Sequence, residues 1–114
     1  MDSETYSLTE ISKFTGNDAD ALKLIVDTFV ATTLDTIAEI NELIPQKDIE
    51  AIAARAHKLL PTFRQFNIVD VIDDLEKLER YKETELPANE FLKIAQRVCE
   101  MTIPIIEQIK KDAN

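Results

Sequence analysis

The sequence predicts an all-α fold, an antiparallel up-down-up-down four-helix bundle with a short N-terminal lid helix. Three observations carry that prediction. Apolar residues recur at three- and four-residue spacing through four long stretches, which is the period of a helix and not of a strand. A single glycine occurs in 114 residues, so little of the chain favours extended turns and loops. The breaks between the periodic stretches are short, at Asn17–Asp20, Pro45–Lys47 and Thr84–Pro87, as connections between antiparallel neighbours are. One domain covering residues 1–114 is expected from the length.

Ser7-Leu8-Thr9-Glu10 has capping-box spacing, and Gly16 supplies a stop. The first helix, Leu8 to Thr15, would offer Leu8, Ile11 and Phe14 as a lid. Asn17-Asp18-Ala19-Asp20 caps the next helix with side-chain acceptors and negative charge at its positive end. That helix runs to Ile44, with Leu22, Ile25, Val26, Phe29, Thr33, Ile37, Ile40 and Ile44 on one face. A third helix follows the Pro45-Gln46-Lys47 turn, from Asp48 to Phe66. The fourth, Ile68 to Tyr81, turns Ile68, Val71, Ile72, Leu75 and Leu78 inward and leaves Asp70, Asp73, Asp74, Glu76, Lys77 and Arg80 as a solvated face. Pro87 suits a helix start. The last helix reaches Lys110, with Phe91, Ala95, Val98, Met101, Ile105 and Ile109 inward and a kink expected at Pro104.

Composition narrows the function. A net charge of −9 opposes a nucleic-acid surface, whose phosphates it would repel. No apolar run is long enough to span a bilayer, and Met1-Asp2-Ser3-Glu4 lacks a leader's basic and apolar regions, so no direct membrane contact is expected. The lone Cys99, read as a core or boundary thiol, excludes an internal disulfide and suits a reducing compartment. One histidine and one cysteine far apart supply no zinc set. There is no glycine-rich loop to hold a nucleotide and no strained serine elbow for hydrolysis. No metal or cofactor is expected on this chain.

The informative stretch is Ala51 to Asn67, which holds the only histidine, His57, and a proline four residues on. At about 100° per residue, Ile49, Ile52, Ala53, Ala56, Leu59, Leu60, Phe63 and Phe66 make one apolar arc. His57 lies off its edge, between Ala53 and Ala54 one turn back and Pro61 one turn ahead. Small neighbours leave the imidazole clear, and Lys58 and Arg64 put positive charge nearby, which suits a group that accepts something anionic. Pro61 removes the amide that would bond the carbonyl of His57, a defect costing about 3 kcal/mol in an ordinary helix.

Ala56-His57-Lys58-Leu59 followed by a kink residue resembles the active-site helix of histidine-containing phosphotransfer (HPt) domains, whose pattern is roughly A-H-x-L-K-G-S with a glycine closing the helix. The chain keeps the alanine, the histidine, the leucine and a hydroxyl residue, Thr62, and Leu75-Glu76 and Leu78-Glu79 fit the family's following helix. It departs at Leu60 for a lysine that helps hold the phosphoryl group, at Pro61 for a glycine, and at Asn67 for the closing glycine. Asparagine tolerates the left-handed conformation such a closure needs.

The resemblance implies a monomeric phosphorelay carrier. His57 accepts a phosphoryl group from a receiver-domain aspartate and passes it to another receiver, and the Mg²⁺ sits on the receiver. Lys58 and Arg64 would assist the phosphate, and Ile11, Phe14, Ala54 and Pro61 would dock the receiver. The domain would be a stoichiometric intermediate and not an enzyme in its own right, cytoplasmic either free or as the cytoplasmic part of a membrane-bound sensor kinase. Two rival readings stand beside it. One is a degenerate HPt adaptor that binds receivers unphosphorylated, favoured by Leu60. The other is a kinase dimerisation bundle, which calls for self-association and an adjoining ATP-binding domain.

Overall fold

Two of the four connections between helices end in a carboxylate that starts the next helix. In the computed structural model, which describes residues 6–113, the Asp18 side chain accepts from the amides of Asp20 and Ala21, and the Asp48 side chain from that of Ala51. Each satisfies amides that the first turn leaves without a partner. Met1–Glu4, the stretch read for a leader, lies outside the described residues.

The described chain is all helical: α1 (Thr9–Phe14), α2 (Ala19–Gln46), α3 (Ile49–Gln65), α4 (Val69–Glu79) and α5 (Ala88–Asp112). Among the described residues five left-handed residues end or join helices, namely Gly16, Asn17, Lys47, Asn67 and Glu85, at φ of 64°, 65°, 55°, 51° and 53°. Asn67 thus takes the conformation expected of a residue standing where a glycine would close the helix. At the end of α2 the helix continues through Pro45, and Lys47 provides the left-handed cap. The capping box at Ser7 does not form. Leu8 is the N-cap, Ser7 Oγ accepts only from the Thr9 amide, and Glu10 pairs with Lys13.

α3 packs most broadly on α4, and α2–α5, α2–α3 and α4–α5 share the other main contacts. Phe29 of α2 joins α3 at the centre. It stacks on Phe66 at 4.1 Å between centroids and tilts against Phe63 at 5.8 Å. Tyr81 meets Phe91 edge-on at 5.2 Å. Such pairs contribute about 0.5–1.5 kcal/mol beyond the area they bury. α1 is tied down by Tyr6, Leu8 and Ile11, all buried, and by the Ser7 amide bonded to the carbonyl of Phe66.

Three expectations about the core change. Phe14 does not close over it, being 83% exposed. The inner face of α5 is shifted: Thr102 and Ile106 are buried where Met101 and Ile105 were expected, and Ile94 and Cys99 join them. The helix runs on through Pro104 to Asp112. Asp74, placed on the solvated face by its charge, is only 5% exposed. It survives there because Arg97 of α5 reaches it with Nε and Nη2 at 2.8 and 2.7 Å, a bidentate pair. The hydrogen bond to Asp74, and then its charge, raise the pKa of Arg97 above its ordinary value.

This pair yields the first expected result. Arg97→Met strands a buried carboxylate, a loss of about 3–5 kcal/mol where both partners are buried. Arg97 is half exposed, so water relieves part of it and a loss of about 2 kcal/mol is expected. Adding Asp74→Leu should restore most of the stability in urea unfolding. Arg97→Met melting with the parent would remove the pair from the account of stability.

Cys99 is buried, with Sγ 4.0 Å from the carbonyl of Ile37. Burial, and then Glu100, push its thiol up to about 11, so it stays protonated and unreactive near neutral pH. The Thr102 hydroxyl is also buried and finds no hydrogen-bond partner among the described residues.

Candidate functional site

His57 stands in the second half of α3, with its side chain 76% exposed. Ala56, Leu59 and Leu60 beside it point into the core, which turns the imidazole outward. Ala54 and Pro61, one turn either way, are exposed, and Ala53 is half-buried. α3 remains helical through Pro61, so the carbonyl of His57 lies in a helix without its usual amide.

Nδ1 of His57 is hydrogen-bonded to Oε2 of Glu79, the last residue of α4. An ionised carboxylate only accepts. Nδ1 therefore carries the proton, and in the neutral ring Nε2 keeps its lone pair. Nε2 has no partner among the described residues. The Glu79 side chain is 32% exposed, enough to remain solvated while it orients the ring. By sequence position alone Glu79 belongs with the acidic outer face of Asp70 to Glu79. Its one signal was its place in the helix following the histidine, and only the packing of α3 on α4 brings it to the ring.

The other predicted residues fall into separate places. Ile11, Phe14, Pro61 and Arg64 line one shallow concavity between α1 and α3. Within it Phe14 is exposed, but Ile11 is only 4% exposed and is first a core residue holding α1 down; it offers a docking partner little surface. Arg64 is engaged by Glu76 of α4, Nη2 to Oε2 at 3.6 Å. An exposed pair of this kind contributes at most about 1 kcal/mol. Lys58 borders a different hollow, between α2 and α3. Ala54 borders neither cavity. Leu60, at the position of the family lysine, is 1% exposed and belongs to the core.

Among the described residues no three His, Cys, Asp or Glu side chains gather as metal ligands do, and no helix is long and apolar enough to cross a membrane. No family model, curated protein or solved structure matches the chain.

Proposed function

We propose that the chain is a phosphorelay carrier of HPt type, with His57 as the phosphoryl acceptor. The observation that carries this reading is an exposed imidazole whose Nδ1 is engaged by a carboxylate and whose Nε2 is unencumbered. The lone pair of Nε2 attacks the phosphorus of a receiver's aspartyl phosphate in line. The P–N bond forms as the P–O bond breaks, and the leaving electron pair stays on the aspartate. Glu79 holds the Nδ1 proton throughout, so the attacking nitrogen need not shed one. Transfer to a second receiver is the reverse step. The receiver supplies the Mg²⁺ and most of the charge stabilisation, and this domain supplies a positioned nucleophile.

The architecture proposed for the carrier is an up-down-up-down antiparallel bundle of α2 to α5. Cross-helix pairs support it. Going along α3 from Arg55 to Phe63, the partners on α2 step back from Glu39 to Phe29. From Asp74 on α4 to Tyr81 just past its end, the partners on α5 step back from Arg97 to Phe91. Phe14 and Pro61 on the outer surface are the docking residues of this reading, with Ala54 beside the ring. Lys58 and Arg64 are its phosphate counterions, Arg64 after release from Glu76.

The test is incubation with phosphorylated receiver domains. Acid-labile, base-stable phosphate on this chain is expected. Leu60 in the core favours a second reading, a receiver-binding adaptor that is never phosphorylated. Binding without label would select the adaptor, and neither binding nor label would end both readings.

Glu79 gives a prediction of its own. Glu79→Gln keeps the size but no longer compels the Nδ1 proton, since an amide can donate as well as accept. Phosphotransfer should fall on the order of tenfold, as when groups that orient a reactive imidazole are replaced, while the melting temperature stays near the parent's. An unchanged rate would reduce Glu79 to a surface carboxylate.

A further inference from the structure

The hollow between α2 and α3 has a chemistry unlike the surface around it. It encloses about 560 Å³, inside the roughly 300–1,000 Å³ typical of small-molecule sites. Ile25, Phe29, Leu59 and Phe66 give it an apolar floor. Phe29 and Phe66 stack on each other there, 17° from parallel, and both are buried, so the floor is a firm apolar base and not an open ring face. Thr28 and Thr32, one turn apart on α2, line the wall, and their hydroxyls have no hydrogen-bond partner among the described residues.

Charge separates this hollow further from the rest. Of the 114 residues in the chain 22 are acidic, yet none of the twelve residues lining the hollow is. Its one charged residue is Lys58. Lys58, like Lys47, Lys82 and Lys111, makes no ion pair among the described residues, and it is the one of these that borders the hollow. On a chain of net charge −9, an uncompensated cation at an apolar, carboxylate-free hollow complements an apolar anion and repels nothing on it.

We propose that the α2–α3 hollow binds a small apolar monoanion, a carboxylate or sulfonate on a hydrophobic body. The body lies in the apolar hollow beside Leu24 and Ile25, the anionic group faces Lys58, and Thr28 and Thr32 offer hydroxyl donors. This goes beyond the phosphorelay reading. It shares Lys58 with that reading but requires neither His57 nor a receiver, so probe binding to the unphosphorylated chain tests it independently of phosphotransfer.

The test uses the full, unphosphorylated chain and two fluorescent probes. One is 8-anilinonaphthalene-1-sulfonate; the other, N-phenyl-1-naphthylamine, has the same aromatic body without the charge. Saturable one-to-one enhancement is expected with both, below the melting transition. Lys58→Gln should weaken the sulfonate by roughly fivefold, the scale of one exposed charge pair, and leave the neutral probe unchanged. Thr32→Phe, at an exposed position, fills the hollow and should weaken both probes by roughly tenfold or more. Absence of saturable binding by the parent overturns the proposal. So does a Lys58→Gln variant that binds the sulfonate as the parent does, or a folded Thr32→Phe variant that binds both probes unchanged. If gel filtration finds a dimer that the probes dissociate only by competition, a second copy is the occupant and the proposal also falls. Should Thr32→Phe fail to fold, the Lys58→Gln comparison between the two probes decides.

Discussion

His57→Gln is expected to take up no phosphate from any phosphorylated receiver that labels the parent, a loss of at least about 100-fold at ordinary detection, and to melt at nearly the parent temperature. Glutamine has roughly the reach of histidine but no ring nitrogen with a nucleophilic lone pair, and the chain has no second histidine to take over. The side chain is mostly exposed, so its replacement should change stability by no more than about 0.5 kcal/mol. Glu79 loses its partner but keeps access to water, which makes the lost hydrogen bond inexpensive to leave unmade. Measured together, labelling and melting separate the loss of a nucleophile from the loss of a fold. Label retained in His57→Gln would place the acceptor elsewhere and end the assignment.

The helices were legible because each repeats one apolar period over several turns and each break carries turn chemistry. Asp18 and Asn67 could be placed from residue type alone: short carboxylates cap helix starts, and asparagine accepts positive φ. What stayed hidden depends on which helices meet. Asp74 reads as surface from its charge, and only the arrival of Arg97 from α5, 23 residues on, makes its burial tolerable. Glu79 reads as one more acid on a solvated face, until α4 lies along α3 and brings it to Nδ1 of His57. Phe14 fails in the opposite sense. Its place in the periodic pattern made it a lid, but α1 ends there and nothing packs over it. The phase of α5 was missed after Val98, where a buried Thr102 interrupts the apolar pattern that guided the reading.

The histidine itself was the easier half of the site, because its exposure follows from the arc it stands beside. The cations proposed to assist the phosphate are harder. Periodicity puts Arg64 on the same stripe as His57 but says nothing of Glu76, which holds it from α4. Lys58 could be foreseen as exposed, but not as bordering a hollow free of carboxylates, since that hollow is made by α2 as much as by α3.

Pro61 carries the other large effect, and two substitutions separate its two consequences. It is exposed one turn past His57 and shares a concavity with Phe14 and Arg64, so whatever approaches the imidazole along α3 must pass it. Its ring is short and folded back on the backbone, which keeps that approach open. Its missing amide lowers helix stability, by about 3 kcal/mol in an ordinary helix interior. Part of this is offset because proline also restricts the unfolded chain, by about 0.4–1 kcal/mol. Pro61→Ala restores the amide and stays small, so it should stabilise the domain by about 1–2 kcal/mol and transfer phosphate near the parent rate. Pro61→Leu restores the same amide but sets a branched side chain on the stripe of His57. It should be at least as stable as the parent and transfer at least about tenfold more slowly, a misfit at docking of the size that one badly placed side chain produces. The comparison is made at matched labelling, with unfolding in urea measured on the same preparations. Slow transfer in both variants would mean that the carbonyl freed by the proline matters, not the clearance. Parent-like transfer by Pro61→Leu would show that the receiver does not approach along this turn of α3.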